Sequence, residues 1–148
     1  MPSAPLPIAL GSDHAGFPLK CVLAGALREA GHAVLDLGPD TPQRVDYPDY
    51  AHAVCRAVET GQARCGVLVC ASGVGMSIAA NRHPGIRCVL AGEPLTATLG
   101  RAHNNANVLA LGGRLIGEEM ALATLHAFLA GTYEGGHHDA RLAKLAPS

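Results

Sequence analysis

Gly66-Val67-Leu68-Val69-Cys70-Ala71-Ser72-Gly73-Val74-Gly75-Met76-Ser77-Ile78-Ala79-Ala80-Asn81 decides how the rest of the chain is read. Residues 66–70 are small or apolar and show no polar alternation, the pattern of a strand covered on both faces. Three small residues then lead into a helical pattern over 74–81. A buried strand that turns at once into a helix is half of a parallel βα repeat, because parallel strands need a crossover between them.

The same alternation extends in both directions. Further strands are expected over 8–11, 33–37, 87–91 and 108–111, and further helices over 17–30, 50–59, 94–104 and 117–130. Pro18 and Pro94 fall in first helical turns, where a missing N–H is tolerated. The fold class is therefore α/β: one three-layer αβα, Rossmann-like domain around a five-stranded, mainly parallel sheet, with strands one and three adjacent. Residues 1–7, with three prolines, read as a flexible arm before a domain spanning 8–148. Residues 132–148 are short and polar and need a surface to dock on.

Composition agrees and narrows the function. A chain of 148 residues with 49% hydrophobic content can bury one real core. No Trp, two Phe and three Tyr leave Ala, Val, Leu and Ile to build it, and 18 Gly imply close backbone approaches. Eleven Lys plus Arg against twelve Asp plus Glu give a net charge of -1, without blocks of one sign. That balance argues against nucleic acid and against an anionic membrane surface as partners. No apolar run approaches the roughly 18 residues of a membrane helix, and the start lacks a basic and apolar export signal. Cys21, Cys55, Cys65, Cys70 and Cys88 are odd in number and lack CxxC spacing, as reduced thiols in a cytoplasm would be.

Ligands of open parallel sheets collect beyond the carboxyl ends of the strands. There, Cys70 heads a small-residue loop opening a helix, where N–H groups and the helix dipole favour an oxyanion, a phosphate or a thiolate. The plainer reading makes Cys70 the last buried residue of its strand. The loop lacks the lysine of a Walker motif and the third glycine of a dinucleotide fingerprint, where Ile78 stands. A cysteine phosphatase would close such a loop with arginine, and Met76 occupies that position. After the first strand, Gly11-Ser12-Asp13-His14-Ala15-Gly16 either binds sugar hydroxyls or phosphate, or uses Asp13 as a helix cap. Asp46-Tyr47-Pro48 fits a turn before a helix equally well. His103 suits a helix C-terminus, and Arg114 and Arg141 suit a solvated surface unless a phosphate unites them. No His, Cys and carboxylate set has ligand spacing, so no metal is expected.

Together these segments resemble the type B ribose-5-phosphate isomerases and their allose-6-phosphate and galactose-6-phosphate relatives. The match includes residues 11–16, 46–48 and 70–82, Gly85-Ile86-Arg87, His103-Asn104-Asn105-Ala106-Asn107-Val108, Gly112-Gly113-Arg114 and Tyr133-Glu134-Gly135-Gly136, in family order over nearly the whole chain. The resemblance implies a cofactor-free aldose–ketose isomerisation of ribose 5-phosphate and ribulose 5-phosphate through an enediolate. It assigns Cys70 as the base, with Ser72 assisting, and Ala71, Ser72, Gly73, Val74 and Gly75 as the enediolate cradle. His103 would open the sugar ring, helped by Tyr47. Asp13 would contact a sugar hydroxyl, Asn104 the reacting oxygens, and His14, Arg114, His137 and Arg141 the phosphate end. It implies a homodimer, possibly paired into a tetramer, whose active sites take the histidine–asparagine pair and the tail from the partner subunit. The alternatives are a hexose 6-phosphate isomerase and, further off, a thiol phosphatase or a non-catalytic sugar-phosphate binder.

Two positions depart from the family pattern. Ala71 replaces a usual glycine, which matters if that backbone needs positive φ. His137 stands where many members have arginine, and an imidazole cannot make the bidentate clamp of a guanidinium.

Overall fold

The computed structural model describes residues 4–147, so residues 1–3 of the expected arm lie outside it. In chain order the elements are β1 (Ile8–Ser12), α1 (Phe17–Glu29), β2 (Val34–Asp36), α2 (Tyr47–Glu59), β3 (Cys65–Cys70), α3 (Val74–Ala80), β4 (Cys88–Leu90), α4 (Pro94–Asn104), β5 (Val108–Gly112), α5 (Glu118–Ala130) and α6 (His137–Leu142). The strands form one sheet in the order β2-β1-β3-β5-β4, and every pairing is parallel. β1 and β3 are neighbours, with Ser12 opposite Val69. The winding reverses between them, which opens a crevice over their carboxyl ends.

Alternate residues of each strand feed two cores. Ile8, Leu10, Val67, Val69, Leu109 and Leu111 pack with Leu23 of α1, Ala97 of α4 and Leu125 and Phe128 of α5. Ala9, Leu68, Cys70, Val108 and Ala110 face the other way, onto Val54 of α2 and Met76 of α3. Each fully buried Val, Leu or Phe side chain contributes about 1.5–3 kcal/mol relative to exposure. Glycine sets how close α2 can come. A Cβ on Gly66 would stand 2.5 Å from Val54 Cγ1, and one on Gly11 would stand 2.8 Å from Val54 Cγ2. The two glycines together form the slot that Val54 fills.

One charged side chain is almost wholly enclosed. Lys20 of α1 is 1% exposed, and its Nζ donates to Asp36 Oδ1 at 2.7 Å, Asp36 Oδ2 at 2.9 Å and the Pro39 carbonyl at 2.8 Å. Three acceptors satisfy an ammonium that burial would otherwise penalise. They fasten α1 to the end of β2.

The boundaries differ from the sequence expectation in two places. α2 starts at Tyr47 rather than at residue 50, because Pro48 is accommodated in its first turn. Residues 132–148 contain α6, which the sequence pattern misses because six residues are too few to show a helical period. This segment also finds a surface within its own chain. The Glu134 N–H donates to the Ala102 carbonyl at 3.0 Å, and the His138 ring stacks on His103 with centroids 4.7 Å apart.

Candidate functional site

β3 delivers Cys70 to the carboxyl edge of the sheet, on the face covered by α2 and α3. The residue is 5% exposed, and its Sγ accepts the N–H of Gly73 at 3.2 Å. Gly73 has φ +80, and a Cβ there would lie 2.6 Å from Leu90 and 2.9 Å from the Leu111 backbone, so glycine is required twice over. Ala71 avoids that region, since Asn105 is the only non-glycine with positive φ among the described residues. The departure from glycine at 71 therefore carries no backbone strain.

Local bonding fixes the loop and leaves donors over. Ser72 Oγ accepts the Val74 N–H at 3.2 Å, and the α3 ladder begins with the Ser77 N–H on the Gly73 carbonyl at 3.0 Å. The N–H groups of Gly75 and Met76 thus have no helical acceptor. The Met76 side chain is fully buried in the core. From β5, the Gly113 N–H donates to the Cys70 carbonyl at 2.8 Å and the Arg114 N–H to the Ala71 carbonyl at 3.0 Å. Those bonds bring the exposed Arg114 beside the loop.

Two more segments border this loop. Asp13 is 7% exposed, and its Oδ1 accepts the Gly16 N–H at 2.9 Å, so it closes its own turn without making a side-chain cap bond on α1. Gly16 is pressed against β3, where a Cβ would lie 2.2 Å from the Val69 carbonyl oxygen. His14 Nδ1 accepts the Val45 N–H at 3.4 Å, which ties this turn to the approach to α2. Tyr47, at the start of α2, lays its ring over Gly75, where a Cβ would be 2.6 Å from Tyr47 Cζ. Asp13, His14, Tyr47, the 70–75 loop and Arg114 accordingly share one end of the sheet.

His103, Asn104, His137 and Arg141 belong to the other end. α4 runs back from β4 and ends at Asn104, just before β5 begins at Val108. Val108 pairs with Gly66, whereas Cys70 pairs with Gly112. Four residues of strand put His103 about 13 Å or more down the sheet from Cys70. No single chain brings the thiol and this imidazole together.

Around His103 the fold gathers groups that the spacing in sequence does not reveal. Glu134 Oε1 lies 3.9 Å from His103 Nε2, and Glu134 Oε2 lies 3.7 Å from His138 Nε2. The His138 ring also lies against His137, with centroids 4.1 Å apart. Burial, then the neighbouring His137 and His103, pull the His138 pKa down, with Glu134 opposing. Tyr133 donates to Asp139 Oδ1 at 2.6 Å, and burial and that bond push its pKa up to about 12. Glu134 and His138 stand one helical turn apart in sequence, the only cue available before folding.

Residues 8–145 match the family model described as Ribose/Galactose Isomerase. A ribose-5-phosphate isomerase B of Escherichia coli is 47% identical over 135 residues, covering 91% of each chain. A D-erythrulose-4-phosphate isomerase of Pectobacterium atrosepticum is 37% identical over 95% of this chain and 93% of that one. Among solved structures, a ribose 5-phosphate isomerase of Thermotoga maritima superposes with a TM-score of 0.93 at 46% identity, covering 94% of this chain and 96% of that one.

Proposed function

The chain belongs to the ribose/galactose isomerase family, and on that premise we propose that it interconverts ribose 5-phosphate and ribulose 5-phosphate without a cofactor. One observation carries the reading: Cys70 Sγ sits at the mouth of a backbone loop whose first-turn N–H groups on Gly75 and Met76 are unspent. Cys70 removes the proton from C2 of the open sugar and returns it at C1. The loop N–H groups stabilise the enediolate oxygen between those steps, the largest contribution such a site can make. Ser72 assists the transfer. Tyr47 stands over the loop to help open the ring, Asp13 keeps one carboxylate oxygen for a sugar hydroxyl, and His14 and Arg114 grip the phosphate.

Ring opening needs an acid–base group, and His103 is assigned that task with Asn104 at the reacting oxygens. Both stand at the opposite edge of the sheet, so the complete site draws them, and the phosphate ligands His137 and Arg141, from a second copy in a homodimer. Exposed Val74 and Ile78 of α3, Leu90 of β4, and Leu95 and Leu99 of α4 supply an apolar face for that copy beside the β4 edge. Five unpaired thiols suit the cytoplasm. No described helix is long and apolar enough to cross a membrane.

One relative is named for a four-carbon sugar phosphate, and His137, where the family pattern has arginine, would weaken the grip at the phosphate end, so the carbon count of the substrate is the part of the reading to test. A panel of four-, five- and six-carbon aldose phosphates, followed for ketose formation and phosphate release, tests the reading. Cys70→Ala is expected to cut isomerisation of ribose 5-phosphate about 100- to 10,000-fold, the range of a lost general base, while binding of the sugar phosphate persists. Unchanged turnover in Cys70→Ala would remove the thiol from the mechanism, and release of inorganic phosphate would replace isomerase by phosphatase.

A further inference from the structure

Away from the thiol loop, two imidazoles and a carboxylate converge where α4, the 132–136 segment and α6 meet. One ligand atom from each of His103, Glu134 and His138 lies within 4.8 Å of the other two. We propose that these three side chains bind a divalent first-row transition metal of the zinc type, and that the metal withholds His103 from catalysis. The second half rests on the proposed function; the first does not.

The donor set and its spacing suit such an ion. Two imidazoles with one carboxylate are ligands that zinc and its neighbours take, whereas magnesium and calcium prefer oxygen throughout. Bonds of about 2.0–2.1 Å in a tetrahedron place ligand atoms roughly 3.4 Å apart. Glu134 Oε1 stands 3.9 Å from His103 Nε2 and Oε2 stands 3.7 Å from His138 Nε2, and with one ligand atom from each residue no separation exceeds 4.8 Å, so side-chain movements of up to about 1.4 Å close the triangle. Both separations exceed a hydrogen bond, so the carboxylate does not already hold either ring. The His103 and His138 rings are stacked at 18°, and the half-exposed His103 must turn to converge its lone pair with that of His138.

The backbone prepares the other two ligands. The Glu134 N–H is bonded to the Ala102 carbonyl, immediately before His103. Gly135 and Gly136, at φ +67 and +61, turn the chain so that Glu134 and His138 share a side. His138 is 8% exposed, and its N–H donates to the Gly135 carbonyl at 3.2 Å. Three protein ligands leave a fourth position for water. With Nε2 of His103 on a metal, that nitrogen has no proton to give or take during ring opening.

Cobalt(II) added to the chelator-treated full-length protein is the direct probe. The expected result is a visible tetrahedral cobalt spectrum saturating at one ion per chain, bleached by zinc. It should lack the near-ultraviolet thiolate charge-transfer band that any of the five free cysteines would produce. Glu134→Gln and His138→Gln should each weaken binding at least tenfold. Zinc should inhibit ribose 5-phosphate isomerisation by the native protein and do so at least tenfold less potently in Glu134→Gln, whose exposed position keeps the change out of the core. No cobalt spectrum, a thiolate band, or binding unaltered in both variants would overturn the site. Full occupancy with undiminished isomerisation would overturn the withholding of His103. The cobalt measurement reads the site even if the chain acts on another sugar.

Discussion

Tyr47 lies over the loop only because residue 75 has no side chain. With a Cβ 2.6 Å from its Cζ, Gly75→Ala must displace the phenol ring, and a misplacement of about 1 Å near the chemistry costs on the order of 100-fold in turnover. Steady-state kinetics should show that loss, while the melting temperature stays close to that of the native protein because Tyr47 is an exposed residue. Residues of this loop were legible in the sequence, since a cysteine at a strand end before a run of small residues has a fixed place in a parallel sheet. Glu134 and His138 were not. Their meaning depends on their approach to His103, a residue more than thirty positions earlier, and on two glycines whose positive φ only the folded chain displays.

At the level of elements, periodicity located five strands and the five helices that cover the sheet, because buried parallel strands and amphipathic helices differ in repeat. It failed at α6, which is short, and at the first turn of α2, where Asp46 before Tyr47-Pro48 reads as a turn as readily as a helix start. Nor did it foresee Lys20, whose position on α1 looks like a solvated face until Asp36 and Pro39 close over it. Replacing one member of such a pair leaves the other charge without its partner. Lys20→Met is expected to destabilise the protein by about 2–4 kcal/mol, at the lower part of the range for a broken buried pair because Asp36 retains access to water. Urea unfolding followed by circular dichroism measures it.

For the whole molecule, pH and pairing give two tests. Burial, then the Glu59 carboxylate, push the Cys55 thiol up to about 12, and burial, then Cys55, do the same to Cys88. Burial also raises Cys65. A raised folded-state pKa means that the fold binds the proton more tightly than the unfolded chain does. The stability these thiols contribute is therefore fully present below their ordinary value of about 9 and is lost as pH rises towards 12. Melting temperature should fall across that interval, and Cys55→Ala should flatten the slope. Pairing is tested by mixing Cys70→Ala with His103→Asn subunits after reversible dissociation. Each inactive alone, they should recover about a quarter of native activity, because random association makes half the two-fold pairs mixed and each mixed pair holds one intact site. No recovery would mean that both residues serve the same chain's chemistry or none.

The common direction of the five strands has a last consequence. A rigid sheet holds the thiol at one rim and the imidazole proposed to open the sugar ring at the other, so in the proposed dimer a newly folded subunit is dormant until a sister arrives. Their meeting then awakens two catalytic centres together.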